Sequence, residues 1–408
     1  MNLDRKLRAF YSLAIDLEKQ GKFDGELLIA HGDRILFEVR SDASLEQQEE
    51  PQFMIGSVSK QFFAVALLKA LYDLSEDSSE ERRVAVIKKK LHQPLSKYLP
   101  KECAVWNGSM PKWADKVTLH HLLSHTSGIP NYTDAEDCGY ANLLDAKQHW
   151  FELQRTPKEI IKLIVKDPLL FSPGSEFFYS NTGYLLIAEV IESITHEKVS
   201  VYLQQAIFDP TGMNSTVCPE HGRWDELKRN SKISRLLPPL RYDPKEHRKT
   251  IYPELHCEDI STAKGTGSII STAEDLLKWN LALHKKKSIL PQKLYELMIT
   301  ENLDGYGYGI GIEGAGIGLA FGHSGTIGSY QTELYYLPEY DLSIVLLSNV
   351  CWDFDKISNE YDAIYNSLQG TISDETECDE AAQETLQKKY PFTRSYGILS
   401  KGIVTLFE

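Results

Sequence analysis

The chain has 408 residues, 42% of them hydrophobic and 25% charged, with a formal net charge of −14. That apolar content is enough for a large core, and the length exceeds that of one simple domain, so two lobes are expected. The acidic balance gives no electrostatic footprint for nucleic acid and repels anionic lipid, which points to a small-molecule or short-peptide partner.

Taken in chain order, MNLDRKLRAFYSLAIDLEKQGKF carries acids and bases at helical intervals. It predicts an amphipathic helix over 5–20 and lacks the apolar run of a signal peptide. No stretch approaches the length of a membrane span, so a soluble, cytoplasmic chain is expected. Residues 26–30 and 35–39 flank His31-Gly-Asp33 as a hairpin would. Ser57-Val-Ser-Lys60 then heads IGSVSKQFFAVALLKALYDL, whose apolar residues leave almost no polar face and predict a buried helix ending near Leu74. Residues three apart share a helix face, so the Ser57 hydroxyl meets the Lys60 amine as a nucleophile meets its proton acceptor, and the helix N-terminus adds partial positive charge. Ser109-Met-Pro-Lys112 and Ser261-Thr-Ala-Lys264 repeat the spacing, but neither opens a long apolar helix.

The segment from Ser75 to Arg83, with Lys88-Lys-Lys90 after it, reads as a solvated connection or insertion. Helical periodicities and loops, with little strand pattern, fill 84–255. His121 and His125 have the i, i+4 spacing of zinc ligands on a helix. Without a glutamate after the first histidine, and with Gly128-Ile-Pro130 following, a structural helix end fits better and no metal is expected. In Tyr179-Ser-Asn181 a tyrosine beside a lysine cation loses its proton more readily and could serve as a general base. Equally, Asn181 could cap a helix over 182–194 and Tyr179 be a half-buried aromatic; Tyr140-Ala-Asn142 repeats the spacing. Gly265 and Gly267 are expected to let backbone pass close to the site. Ser271-Thr-Ala-Glu274 reads as a capping box for a helix to about Leu283, followed by strands at 306–313, 317–322, 329–337 and 342–348. His323-Ser-Gly325 falls between the second and third of these, either as a glycine-rich strand turn or as an edge along which a bound acyl group packs. A last helix over 354–368 and an acidic tail from Ser373 to Glu380 complete the chain. The six cysteines form no C-x-x-C pair, so reduced thiols are expected and neither a zinc knuckle nor a dithiol redox motif is written.

The expected architecture is α+β: an antiparallel sheet flanked by helices and built from 1–75 and 256–370, a mostly helical lobe over 76–255, and an extension over 371–408. A cleft between lobes is the natural place for a site.

The order Ser-x-x-Lys, Tyr-x-Asn, His-x-Gly resembles the serine β-lactamase and penicillin-binding protein superfamily, in particular its branch of class C β-lactamases, D,D-carboxypeptidases, D-aminopeptidases and esterases. Further stretches carry the likeness: FDGELLIAHGDRILFE, FMIGSVSKQF, TLHHLLSHTSGIPNY, PGSEFFYSNTGYLLIAEVIE, STAEDLLKW, YGYGIG and FGHSGTIGSYQTELYYLPEYDLSIVLLSN. The resemblance implies the β-lactamase/transpeptidase-like fold, Ser57 as acylated nucleophile, Lys60 as its partner and Tyr179 as proton shuttle. It also implies that Asn181 binds the substrate amide, that His323, Gly325 and Thr326 line the substrate, and that the backbone N–H groups of Ser57 and Thr326 form an oxyanion hole. No cofactor follows from it, and the oligomeric state stays open. His323 stands where β-lactamases usually carry lysine, and a histidine is largely neutral near pH 7. The resemblance therefore implies a serine hydrolase of D-amino-acid peptides, amides or small esters, with β-lactamase or D,D-carboxypeptidase as the alternative. A non-catalytic scaffold or filament-forming member of the fold is the alternative of another class, and a pure scaffold would not need Ser57, Lys60, Tyr179 and His323 together.

Overall fold

The computed structural model describes residues 23–352 apart from 42–49, 78, 134–152, 167, 244–247, 252–258 and 316–317, together with scattered positions between 8 and 19. Those scattered positions are helical, and Tyr11 packs on Phe37 with ring centroids 5.1 Å apart. The helix expected at 354–368 and the extension from 371 lie outside the described residues.

The strands are β1 (Gly25–His31), β2 (Arg34–Arg40), β3 (Phe53–Met54), β4 (Leu240–Asp243), β5 (Arg248–Ile251), β6 (Ile270–Ser271), β7 (Gly311–Ala315), β8 (Gly318–Ile327), β9 (Tyr330–Leu337), β10 (Leu342–Ser348) and β11 (Val350–Trp352). Six of them form one antiparallel sheet in the order β2-β1-β10-β9-β8-β7. The first and the last parts of the described span from 23 to 352 meet in it, since Gly25 to His31 pair with Ser348 to Leu342. Every residue of β9 and β10 is buried, as expected for strands covered on both faces.

The main helices are α1 (Ser59–Asp73), α2 (Glu80–Leu91), α3 (Leu119–Leu123), α4 (Pro157–Ile164), α5 (Asn181–Thr195), α6 (Ala273–Asn280) and α7 (Gln292–Met298). The sequence LLKAL and its flanks make α1 apolar all round, and it is buried from Ser59 through Leu68. Phe62 stacks on Trp279 of α6 at 4.1 Å, and the Trp279 Nε1–H donates to Gln61 Oε1 at 2.9 Å. That pair ties the helix behind the candidate nucleophile to the helix that covers β10.

Several local expectations are corrected. The charged segment read as a solvated connection contains α2, capped by the Ser79 hydroxyl, with acids in its first turn and lysines in its last to suit the helix dipole. Its charge conceals an apolar seam of Val84, Ile87 and Leu91, all buried. The stretch read as poor in strands holds β4 and β5, joined by β11 in a separate three-stranded sheet. The cap at 271–274 falls one residue later: Ser271 belongs to β6, and Thr272 Oγ1 accepts the Asp275 N–H at 3.2 Å. Strand β7 starts at Gly311, leaving 306–310 as a loop, and β8 runs unbroken through the glycines to Ile327. His323 is thus mid-strand, opposite Leu334, and not at a turn.

Glu26 of β1 is 1% exposed, 3.2 Å from Arg40 Nε, and has Glu38, Glu50 and Glu274 as neighbours. Burial pushes its carboxyl up to about 8, against the opposing pull of Arg40, and burial also lifts Glu50 to about 7. Unfolded, such a carboxyl titrates near 4.5. Between those values the native state holds more protons than the unfolded chain, so stability falls as pH rises from about 4.5 to 8, by an amount on the order of a few kcal/mol. Thermal unfolding should come at a higher temperature at the acid end of that window, and Glu26→Gln should flatten the dependence. A melting temperature that climbs with pH across it would contradict this account.

Candidate active site

A single 3₁₀ turn, Gly56–Val58, carries Ser57 into α1. Gly56 has φ 50°, and a β-carbon there would stand 2.7 Å from the Thr326 nitrogen. A β-carbon at Gly325 would meet the Ile55 carbonyl oxygen at 2.1 Å and the Ser57 nitrogen at 3.1 Å. Only glycine fits at either place, so the turn and β8 touch backbone to backbone. Ser57 is half-buried and Thr326 exposed, so this seam opens to solvent.

Lys60 Nζ donates to Ser57 Oγ at 2.8 Å and to the Thr266 carbonyl at 3.1 Å. Its side chain is wholly buried, and burial pulls the amine well below its ordinary range. A neutral amine has a lone pair to offer the Ser57 proton. Thr266 was not singled out by the sequence; its flanking glycines were the signal. Gly265 has φ 80° and would clash with the Tyr184 carbonyl oxygen at 2.3 Å, while Gly267 lies 3.4 Å from the Gly56 Cα by the same construction. The expected close pass of backbone is therefore present.

Tyr179 and Asn181 are held by the run 125–133. Leu170 N–H donates to the Gly128 carbonyl (2.8 Å), Gly174 N–H to that of Thr126 (2.8 Å) and Phe178 N–H to that of His125 (2.9 Å). Thr182 Oγ1 donates to the Pro130 carbonyl at 2.7 Å, and Asn131 Oδ1 accepts the Asn181 N–H at 3.0 Å. The Tyr179 ring lies with its centroid 4.7 Å from Lys60 Nζ and 6.1 Å from the His323 ring. Asn181 does not cap α5; Ser180 occupies that position and Asn181 is the first helical residue. Its Nδ2 donates to Thr133 Oγ1 at 2.9 Å, and its buried Oδ1 has no protein donor among the described residues.

His323 is 8% exposed. Its Nδ1–H donates to the Ser324 carbonyl, so Nε2 accepts the Tyr306 hydroxyl, at 2.9 Å. Burial drives its pKa down to about 3. Both ring nitrogens are engaged, and the imidazole is neutral at every ordinary pH, further from a lysine than its residue type alone suggests. Tyr306 was missed by the sequence reading, although YGYGIG had stood out. Gly309 in that loop would place a β-carbon 2.6 Å from the Lys60 carbonyl oxygen, which shows how tightly the loop sits on α1.

Other motifs stay apart from this cluster. Lys264 is paired with Glu189 at 2.7 Å and Glu192 at 3.0 Å, and Lys112 opens a short 3₁₀ turn, so neither repeat of Ser-x-x-Lys heads a long helix. Tyr140 and Asn142 lie outside the described residues. His121 is on α3 with Nδ1 accepting the Thr118 N–H, whereas His125 lies beyond the helix at φ 56°. The two therefore do not share a helix face, and no three His, Cys, Asp or Glu among the described residues are arranged to hold a metal. Cys103 and Cys218 are free thiols, and no helix among the described residues is long and apolar enough to cross a membrane.

The family model described as Beta-lactamase matches residues 25–353. Penicillin-binding protein 4* of Bacillus subtilis (strain 168) is 24% identical over 365 residues, covering 84% of this chain and 72% of that protein. The chain spans only 35% and 55% of the length of two other curated relatives. Among solved structures, D-amino acid amidase from Ochrobactrum anthropi SV3 superposes with TM-score 0.65 at 21% identity, covering 90% of this chain and all of that one. The D-stereospecific amidohydrolase from a Streptomyces species gives TM-score 0.63 at 21% identity, covering 84% and 94%. These likenesses show the β-lactamase/transpeptidase-like α+β fold.

Proposed function

The chain belongs to the Beta-lactamase family, and from that premise we propose that it is a serine hydrolase that forms an acyl-enzyme at Ser57. The 2.8 Å bond from the wholly buried Lys60 amine to Ser57 Oγ carries this reading. Lys60 in its neutral form takes the hydroxyl proton as Oγ attacks the substrate carbonyl. The Ser57 and Thr326 N–H groups receive the oxyanion, with Gly325 letting β8 come close enough to serve. Tyr179 then hands a proton to the leaving nitrogen or oxygen, and water releases the acyl group by the reverse path. Asn181 Oδ1 orients the substrate amide. In this frame Ser57 and His323 belong to the part formed by 1–75 and 256–370, and Tyr179 and Asn181 to 76–255, so the substrate lies between them.

The substrate class follows from His323. A permanent cation there would attract the carboxylate of a penicillin or a D-alanyl peptide, but this histidine is neutral and its Nε2 is taken by Tyr306. An amide or ester of a D-amino acid with an uncharged leaving group fits that wall, and the amidase-like neighbours support the choice. D-Phenylalanine amide or a p-nitrophenyl ester should be hydrolysed with kcat/KM at least about tenfold above that for a cephalosporin or D-alanyl-D-alanine, and His323→Lys should narrow the gap. Cephalosporin hydrolysis near the upper range of enzyme efficiency would make β-lactamase the better description.

A further inference from the structure

His125 is a buried titratable group that the reaction above leaves unused. Its carbonyl accepts the Phe178 N–H at 2.9 Å and its Nδ1 accepts the Ser180 N–H at 3.1 Å, so the amides on both sides of Tyr179 end on one residue. Its ring lies 4.2 Å from that of Tyr179, and Tyr306 and Tyr184 stand around it at 4.9 and 5.1 Å. Because Nδ1 is an acceptor, the imidazole is neutral with its proton on Nε2. That Nε2 is buried without a protein partner among the described residues. Burial holds the ring well below the usual histidine range. The backbone at His125 sits at φ 56°, in the region that favours glycine and tolerates asparagine.

We infer that His125 is a positioning residue for Tyr179: it pins the peptide on both sides of the tyrosine and walls its ring, so that the phenol keeps its place beside Lys60. This inference rests on the reading of Tyr179 as proton shuttle. A displacement of about 1 Å in such a group costs on the order of a hundredfold in rate.

Two variants of the full chain test it. His125→Gly keeps the backbone conformation and removes the ring; His125→Asn keeps the conformation and leaves an oxygen near the place of Nδ1. Each is made alone and with Tyr179→Phe, and the limiting rate and half-saturating concentration of D-phenylalanine amide hydrolysis are measured, because its leaving amine needs a proton. His125→Gly should lower the limiting rate on the order of a hundredfold without changing half-saturation, and His125→Asn by about two- to tenfold. In the Tyr179→Phe background both losses should shrink to less than about threefold, because no hydroxyl remains to be placed. A wild-type rate for His125→Gly, or the same loss in both backgrounds, would overturn the inference and leave His125 a purely structural residue. If His125→Gly does not fold, His125→Asn decides: a wild-type rate, or an equal drop with and without the Tyr179 hydroxyl, overturns it. Tyr179→Phe alone separates the two ideas. If that single variant hydrolyses the amide at the wild-type rate, the shuttle reading falls and the inference with it; if it is slow and the His125 loss still adds in full, the inference alone falls.

Discussion

Ser57→Ala is expected to abolish covalent labelling by a fluorophosphonate and to lower turnover by about a thousandfold or more, because no other hydroxyl among the described residues has this neighbour. Intact mass after incubation should show one adduct on the wild type and none on the variant. The fold should hardly notice the change. Lys60 keeps its second acceptor, the Thr266 carbonyl at 3.1 Å, so the buried amine is not left without a partner. Equal labelling of both proteins would remove Ser57 from the chemistry.

Removing the proton-transfer groups should cost nearly as much. Lys60→Met keeps the length and burial of the side chain and discards the amine, and Tyr179→Phe discards only a hydroxyl. Each is expected to lose roughly a hundredfold in kcat, the scale of general acid–base help. Thermal stability should change little, since Lys60 lies in apolar surroundings under the Tyr179 and Tyr184 rings, where methionine fits. Near-normal turnover by either variant on the best ester or amide would refute its assigned step. Activity should also fall as pH drops through the depressed pKa of Lys60. His323, at about 3, lies too low to set that limb at ordinary pH.

What the sequence made legible was whatever periodicity or composition writes locally. The Ser57 helix, the hairpin at 26–39 and the strands over 329–337 and 342–348 could all be read because a single apolar pattern dominates each. The helix Glu80–Leu91 was hidden because its charges outnumber the three apolar residues that seat it. Glycines at 322 and 325 suggested a turn, yet they serve close approach: a β-carbon at Gly322 would meet the Tyr335 ring at 2.2 Å, and the strand simply continues. Ser57, Lys60, Tyr179 and His323 come together in the fold as their motifs suggested. The partners that hold them in place did not show. Thr266 contributes only a carbonyl, and Tyr306 and His125 act through contacts formed far along the chain, none of which leaves a spacing to recognise.

The pairing of β1 with β10 has a consequence for how the protein is made. Gly25 waits for Ser348 before its strand has both neighbours, and the turn bearing Ser57 waits for Gly325 and Thr326 before strand backbone lies against it. At a synthesis rate of roughly 5–20 residues per second, the helix behind Ser57 emerges tens of seconds before the strand that completes its surroundings. Contacts so distant in sequence also form late and slowly once the chain is free. A nascent chain stalled ahead of β8 therefore carries Ser57 and Lys60 without the backbone that lies against them, so on the proposed mechanism translation itself delays the first turnover until nearly the whole sheet has been threaded together.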